Sequence, residues 1–340
     1  MNEHDSYGSV NPQASPAPIY IPQAAPPAKK SSIFSRILSS LFVSLFILSV
    51  IMNFYLAILL SSGLQAQVYQ EGDEKNRIAL ISLDNSIDMQ TAAELRNMLI
   101  RAEEDDTVRA VILVVNSPGG QVAPSNMIHK YITDYKEETG NPVYVSIQQL
   151  GASGAYWIAC ATDKIYAQTN AIVGSIGVIY MNFVAEEALK EKLGLDPLIL
   201  KSSRSPYKFR GPPFRHPTDE EKEKIRKELD TVHEAFVAIV RDGRGLEEDE
   251  AWALADGDVH NGPDALEKKL IDGVGFLEDV IDDLTATVGL TDPQVIRYNI
   301  PPTLRELLLA KSEAKNPLDL QFQLEKWATT PKIQALWLGW

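Results

Sequence analysis

Cysteine is nearly missing from the sequence. The 340-residue chain carries one, Cys160, so no disulfide can form within it and no thiolate cage can hold zinc. The compartment stays open, because disulfide-free proteins work on either side of a membrane. Histidine is scarce as well, with five residues and no HExxH pair, which leaves a metal site with little support. Cations are outnumbered: 32 Lys and Arg stand against 46 Asp and Glu, a net charge of -14. That balance argues against a nucleic-acid binder, which needs clustered positive charge to neutralise phosphates. The most informative gap is local, since no charged residue occurs between Ile37 and Gln70.

Inside that gap lies LFVSLFILSVIMNFYLAILL, Leu41 to Leu60. It matches the roughly 20 apolar residues that a bilayer-spanning helix needs. Lys29, Lys30 and Arg36 precede it, and Glu71, Asp73 and Glu74 follow. Positive charge on the N-terminal side predicts a single-pass inner-membrane protein with its N-terminus in the cytoplasm and its body outside that membrane. The expected span is residues 37–62. A cleaved secretory signal is the alternative, since SSGLQAQ ends in small residues. Signal peptides, however, carry shorter apolar stretches of about 7 to 15 residues that begin nearer the start. Residues 1–36 read as a disordered tail, because Pro, Ala and Gln dominate residues 11–28 and such a composition buries too little apolar surface to fold.

After Gln70 the pattern alternates. RIALISL (77–83), RAVILVVN (109–116) and PVYVSIQ (142–148) are β-branched runs suited to buried parallel strands. Further strands are expected at 164–167, 172–179 and 197–201. Helices are expected at 89–104, 125–138, 153–160 and 184–193. Strands separated by helices imply an α/β domain with a parallel-rich sheet. The last third is mostly helical: Thr218 and Glu221 fit a capping box that opens a long amphipathic helix, and shorter helices follow near 248–255 and 262–270. The domain expected over 75–290 leaves a C-terminal extension, 291–340, whose Trp327, Trp337 and Trp340 show no periodicity and read as a packed tail or as cover for a partner subunit or a membrane surface.

Two short stretches carry chemistry. NSPGG (116–120) ends a strand on two glycines, whose backbone can approach a ligand and offer amide groups to an anion. A plain strand-to-helix turn would look the same. GASGAY (151–156) sets Ser153 between small residues at the start of an apolar helix, where an amide and the helix dipole favour negative charge. Donors from Gly120 and Gly154 would form an oxyanion hole, whereas Ser153 as a simple N-cap is the structural alternative. A nucleophilic serine needs a base. No histidine is marked as its partner, so a lysine is the other option, provided burial makes its amine neutral. Bringing the reference pKa of about 10.4 down to about 7 costs roughly 4 to 5 kcal/mol, within what burial can supply. Lys208, among Tyr207, Phe209, Pro212, Pro213 and Phe214, fits that demand, and Lys201 at the end of an apolar run competes with it.

NSPGG, GASGAY, GSIGVI (174–179), the lysine segment 201–208 and DGDVHNGPDALEKKLIDGVG (256–275) together resemble signal peptide peptidase A, a family of membrane-anchored Ser-Lys endopeptidases, over roughly residues 75–285. The resemblance implies a Clp protease/crotonase-like fold, no cofactor and no metal. It implies Ser153 as nucleophile, Lys208 as general base, Ser175 as the residue orienting that lysine, and Gly120 as an oxyanion donor. Residual signal peptides, or peptides derived from the membrane, are the implied partners. The short, unduplicated form implies a homo-octamer whose sites combine serine and lysine from neighbouring subunits. Ser203 and Phe209 replace a glycine and an aspartate of the family's K-S-G-x-x-K-D pattern, and two extra residues separate the lysines. Alternatives are a protease for stomatin-type membrane-associated proteins and a catalytically inactive crotonase-like scaffold.

Overall fold

The computed structural model describes residues 33–61, 65–299 and 333–336. Most of the expected Pro-rich tail and most of the C-terminal extension, with its three tryptophans, lie outside the described residues. The chain divides into two units, residues 1–61 and 62–340. The first contains α1 (Ile33–Ser61), of which Arg36–Ala57 is long and apolar enough to cross a membrane. Its described side chains are exposed almost throughout.

The second unit runs β1 (Gln65–Gln70), β2 (Asp73–Asp84), α2 (Met89–Glu104), β3 (Val108–Ser117), β4 (Gly119–Gln121), α3 (Val122–Thr139), β5 (Val143–Ala152), α4 (Gly154–Ala159), β6 (Lys164–Ala167), β7 (Ile172–Gly174) and β8 (Ile179–Tyr180). It continues through a π-helical turn (Ala188–Lys192), α5 (Asp219–Arg244), α6 (Glu248–Ala253), β9 (Val259–His260), α7 (Gly262–Glu267), β10 (Gly273–Val274), α8 (Leu277–Val288), β11 (Pro293–Asn299) and β12 (Ile333–Leu336). Among the described residues nine strands form one sheet in the order β1-β11-β2-β3-β5-β6-β10, with β7 joined to β5 and β9 joined to β7. The central strands β2, β3, β5, β6 and β7 pair in parallel, which makes this an α/β fold with a parallel-rich sheet. Strands β1 and β11 fall outside residues 75–290 yet belong to this sheet.

Alternation along the strands fills both faces. Ala79, Ile81 and Leu83 of β2 join Leu95, Leu99, Ile128 and Ile132 of α2 and α3 on one side. Ile78 and Leu80 join Leu277, Val280, Ile281 and Leu284 of α8 on the other. A strand with apolar residues on both faces is buried on both, so its crossovers must be helices. The helix starts are fixed chemically: Asp88 caps α2 in a reciprocal box with Thr91, and Thr218 caps α5 with Glu221. Such caps contribute about 1 kcal/mol each.

One expected element does not form and another is cut short. Residues 197–201 make no strand, and Leu198 and Leu200 stay 82% and 84% exposed. Their apolar alternation finds no sheet to join within one chain. The expected strand 172–179 stops at Gly174, because Gly174 and Ser175 both take positive φ and turn the chain away.

Candidate active site

Two serines leave neighbouring strands in the same unusual way. Ala152 at the end of β5 and Gly174 at the end of β7 are register partners, and Ser153 and Ser175 come next. Their φ values are +55° and +51°, a region that costs a non-glycine residue about 1–3 kcal/mol. Short main-chain bonds hold them there. The Ser153 amide donates to the Gly174 carbonyl at 2.7 Å, the Trp157 amide donates to the Ser153 carbonyl at 2.9 Å, and the Ser175 amide donates to the Asp258 carbonyl at 2.7 Å. The Ser153 side chain caps nothing. Its Oγ is buried and makes no hydrogen bond among the described residues, so the simple capping role does not hold. A buried hydroxyl without a partner costs about 1–3 kcal/mol. Strain and an unmet hydroxyl in one residue mark a group kept ready for something other than stability.

Beside it runs β4. The Ile87 amide donates to the Gly119 carbonyl at 2.9 Å, and the Gln121 amide returns to the Ile87 carbonyl at 2.8 Å. Ser117, fully buried, donates to the Asn85 carbonyl and accepts the Gly119 amide at 3.2 Å, which braces the turn. A Cβ on Gly120 would lie 2.2 Å from the Ile87 oxygen, so only glycine fits. β4 packs against α4, the helix that opens at Gly154. Gly154 follows the serine directly, and β4, the strand of Gly120, lies against the same helix, whose first amides have no partner inside it. Sequence reasoning missed Ser117 and the Asp258 carbonyl. A serine beside proline at a strand end was the available signal for the first, and none exists for a carbonyl.

The lysines are placed differently. Lys208 is exposed and does not hydrogen-bond to Ser153 within the chain. Lys201 is occupied: its Nζ donates to the Pro206 carbonyl at 3.0 Å and sits 3.5 Å from the Glu221 carboxylate. Arg215 grips the same carboxylate through two bonds of 2.7 and 2.8 Å, and this pairing holds Glu221 down to about 2. Arg210 bonds Glu228, Tyr207 bonds Glu220, and Lys224 lies over the Tyr207 ring. The loop around Lys208 is thus fastened to α5 on several sides. One histidine comes near: His260 pairs with Val173 across β7 and β9, and its Nδ1 lies 2.6 Å from Asp264. It too makes no bond to the Ser153 hydroxyl.

The family model described as Peptidase family S49 matches residues 135–291, and the Clp protease model matches residues 65–172. A protein of Enterococcus faecium named for signal peptide peptidase SppA is 31% identical over 70% of this chain and 71% of its own. A protein of Methanocaldococcus jannaschii named as a protease is 36% identical over 60% of this chain and 64% of its own. Protease 4 of Haemophilus influenzae is 31% identical over 61% of this chain, a match spanning 34% of that protein.

Proposed function

The chain belongs to peptidase family S49, a family of serine proteases, and from that premise we propose a membrane-anchored endopeptidase in which Ser153 is the nucleophile and Lys208 the general base. The observation that carries the reading is the strained, buried Ser153 hydroxyl without a partner, one residue before Gly154 and the helix against which β4 packs. Ser153 Oγ attacks the peptide carbonyl while the neutral Lys208 amine takes its proton. The carbonyl oxygen, now negative, is met by the Gly120 and Gly154 amides, a type of term worth about 3–4 kcal/mol per donor. The lysine returns the proton to the leaving amine, and water then releases the acyl group by the same steps in reverse order.

Because Lys208 is exposed in a single chain, the burial that would neutralise it comes from a neighbouring subunit in a homo-oligomer of about eight chains. Ser175, next to Ser153 in register, orients the incoming amine. Lys201 is a poor candidate, since Glu221 holds it as an ion pair. Substrates on this reading are signal peptides left in the membrane after release, with α1 anchoring the enzyme beside them and the body on the extracytoplasmic side of the inner membrane.

The test is peptide hydrolysis with fluorophosphonate labelling. Ser153→Ala and Lys208→Ala lower turnover by at least three orders of magnitude, while Lys201→Ala retains a measurable fraction. Full activity in Lys208→Ala would remove lysine 208 as the base. A panel of free signal peptides against intact membrane-associated proteins separates this reading from a protease of stomatin-type partners, and an unlabelled Ser153 in the assembled protein would favour the inactive scaffold.

A further inference from the structure

Among the described residues Glu221 is the only acidic side chain that the fold buries, at 4% exposed. Its carboxylate meets a cation from each end of the loop that carries Lys208. Lys201, which opens the loop, sits 3.5 Å away, and Arg215, which closes it, donates two bonds of 2.7 and 2.8 Å. Lys208 lies midway between these two residues in sequence. The Thr218 amide donates to the same carboxylate at 3.0 Å, so both stems are tied to the start of α5.

Further ties run inward from these stems. Lys201 Nζ also donates to the Pro206 carbonyl at 3.0 Å, two residues before Lys208. The Tyr207 hydroxyl donates to Glu220, and Lys224 Nζ stands 4.1 Å from the centre of the Tyr207 ring. On the far side Arg210 donates to Glu228 at 2.6 Å, and Asn182 donates to the Gly211 carbonyl at 2.7 Å. Phe209 takes a φ of +63°, which a bulky residue adopts only where its surroundings impose it. Both neighbours of Lys208 are thus held, while Lys208 itself stays exposed. Apolar contacts of equal size would hold the stems as firmly. What the Arg215 fork and the Lys201 ammonium add is direction.

We propose that Glu221 is the positioning residue of the general base: one carboxylate closes both stems of the 201–215 loop and so presents the Lys208 amine to the serine in a single geometry. The inference deepens the proposed mechanism and rests on its assignment of Lys208 as base. Glu221 acts through the loop and not on the substrate, so its loss falls on turnover rather than on binding. Misplacing a reacting group by about 1 Å costs about a hundredfold, which sets the upper size of the effect.

The experiment measures kcat and KM for a fluorogenic peptide with the assembled full chain, at a temperature where circular dichroism finds every variant folded. Rates are taken per serine titrated to completion with fluorophosphonate, so a loss of folded protein does not enter them. Glu221→Gln, which keeps the shape and gives up the charge, is expected to lower kcat roughly tenfold to a hundredfold while KM stays within about twofold. Lys201→Met frees the Pro206 carbonyl but leaves Glu221 with Arg215, so kcat falls by a smaller factor, and Lys201→Arg recovers most of that loss. An unchanged kcat in Glu221→Gln, or a rise in KM that accounts for the whole loss, overturns the inference. Full activity in Lys208→Ala would remove the base assignment and this inference together. An inactive Lys208→Ala beside an unimpaired Glu221→Gln overturns the inference alone.

Discussion

Ser153 carries two costs in one residue, a positive φ and a buried hydroxyl with no partner. Ser153→Gly removes both, so it is expected to abolish labelling and to raise stability by about 1–2 kcal/mol. Thermal unfolding reads this as an increase of a few degrees; an unchanged or lower midpoint would show that the conformation is not strained. His260 is the control at this scale. It lies in the strand beside β7 and its ring is already bonded to Asp264, so His260→Ala should reduce turnover by less than tenfold, whereas loss comparable to Ser153→Ala would identify a histidine base. The tight turn at Ser153 was legible in the sequence because small neighbours and an apolar helix signal a close approach. Which lysine stands free to serve it was not. Sequence contrasts an apolar setting for Lys208 with the end of an apolar run for Lys201, but only the fold reveals that Glu221 has taken the second lysine.

At the scale of elements, β4 and α5 are the parts with sharp expectations. Gly120→Ala drives a Cβ into the Ile87 backbone, displacing β4 from α4, so turnover is expected to fall by about two to three orders of magnitude while circular dichroism stays native. The α5 start depends on Glu221, whose carboxylate serves Arg215, Lys201 and the Thr218 amide together. Its folded value lies at about 2, below the ordinary glutamate value of 4.5. The stability it contributes is complete above about 4.5 and is lost as pH falls through about 2. Acid unfolding followed by tryptophan fluorescence should therefore show Glu221→Gln less stable at neutral pH, with the difference from wild type shrinking toward pH 2. Strands of the central sheet were readable because burial on both faces writes a continuous apolar run. The segment 197–201 has the same look but no sheet to join, and β8 and β12 are too short to stand out from loops. Their pairing joins stretches far apart in the chain, which local pattern does not encode.

For the whole molecule, the proposed site is divided between copies, and this yields a direct test. Chains with Ser153→Ala and chains with Lys208→Ala are each expected to be inactive alone. Assembled together at equal amounts, they should recover about a quarter of wild-type hydrolysis, because random neighbours then pair an intact serine with an intact lysine at that frequency. No recovery in a verified mixed assembly would place both groups in one chain. Cross-linking in mild detergent should likewise show a closed ring rather than a monomer.

The exposed position of Lys208 has a consequence for the living cell. If a lone polypeptide holds a nucleophile without a proton acceptor, it is harmless by construction while it is being made and inserted. Hydrolytic power would then switch on with crowding in the plane of the bilayer and would need no propeptide to restrain it.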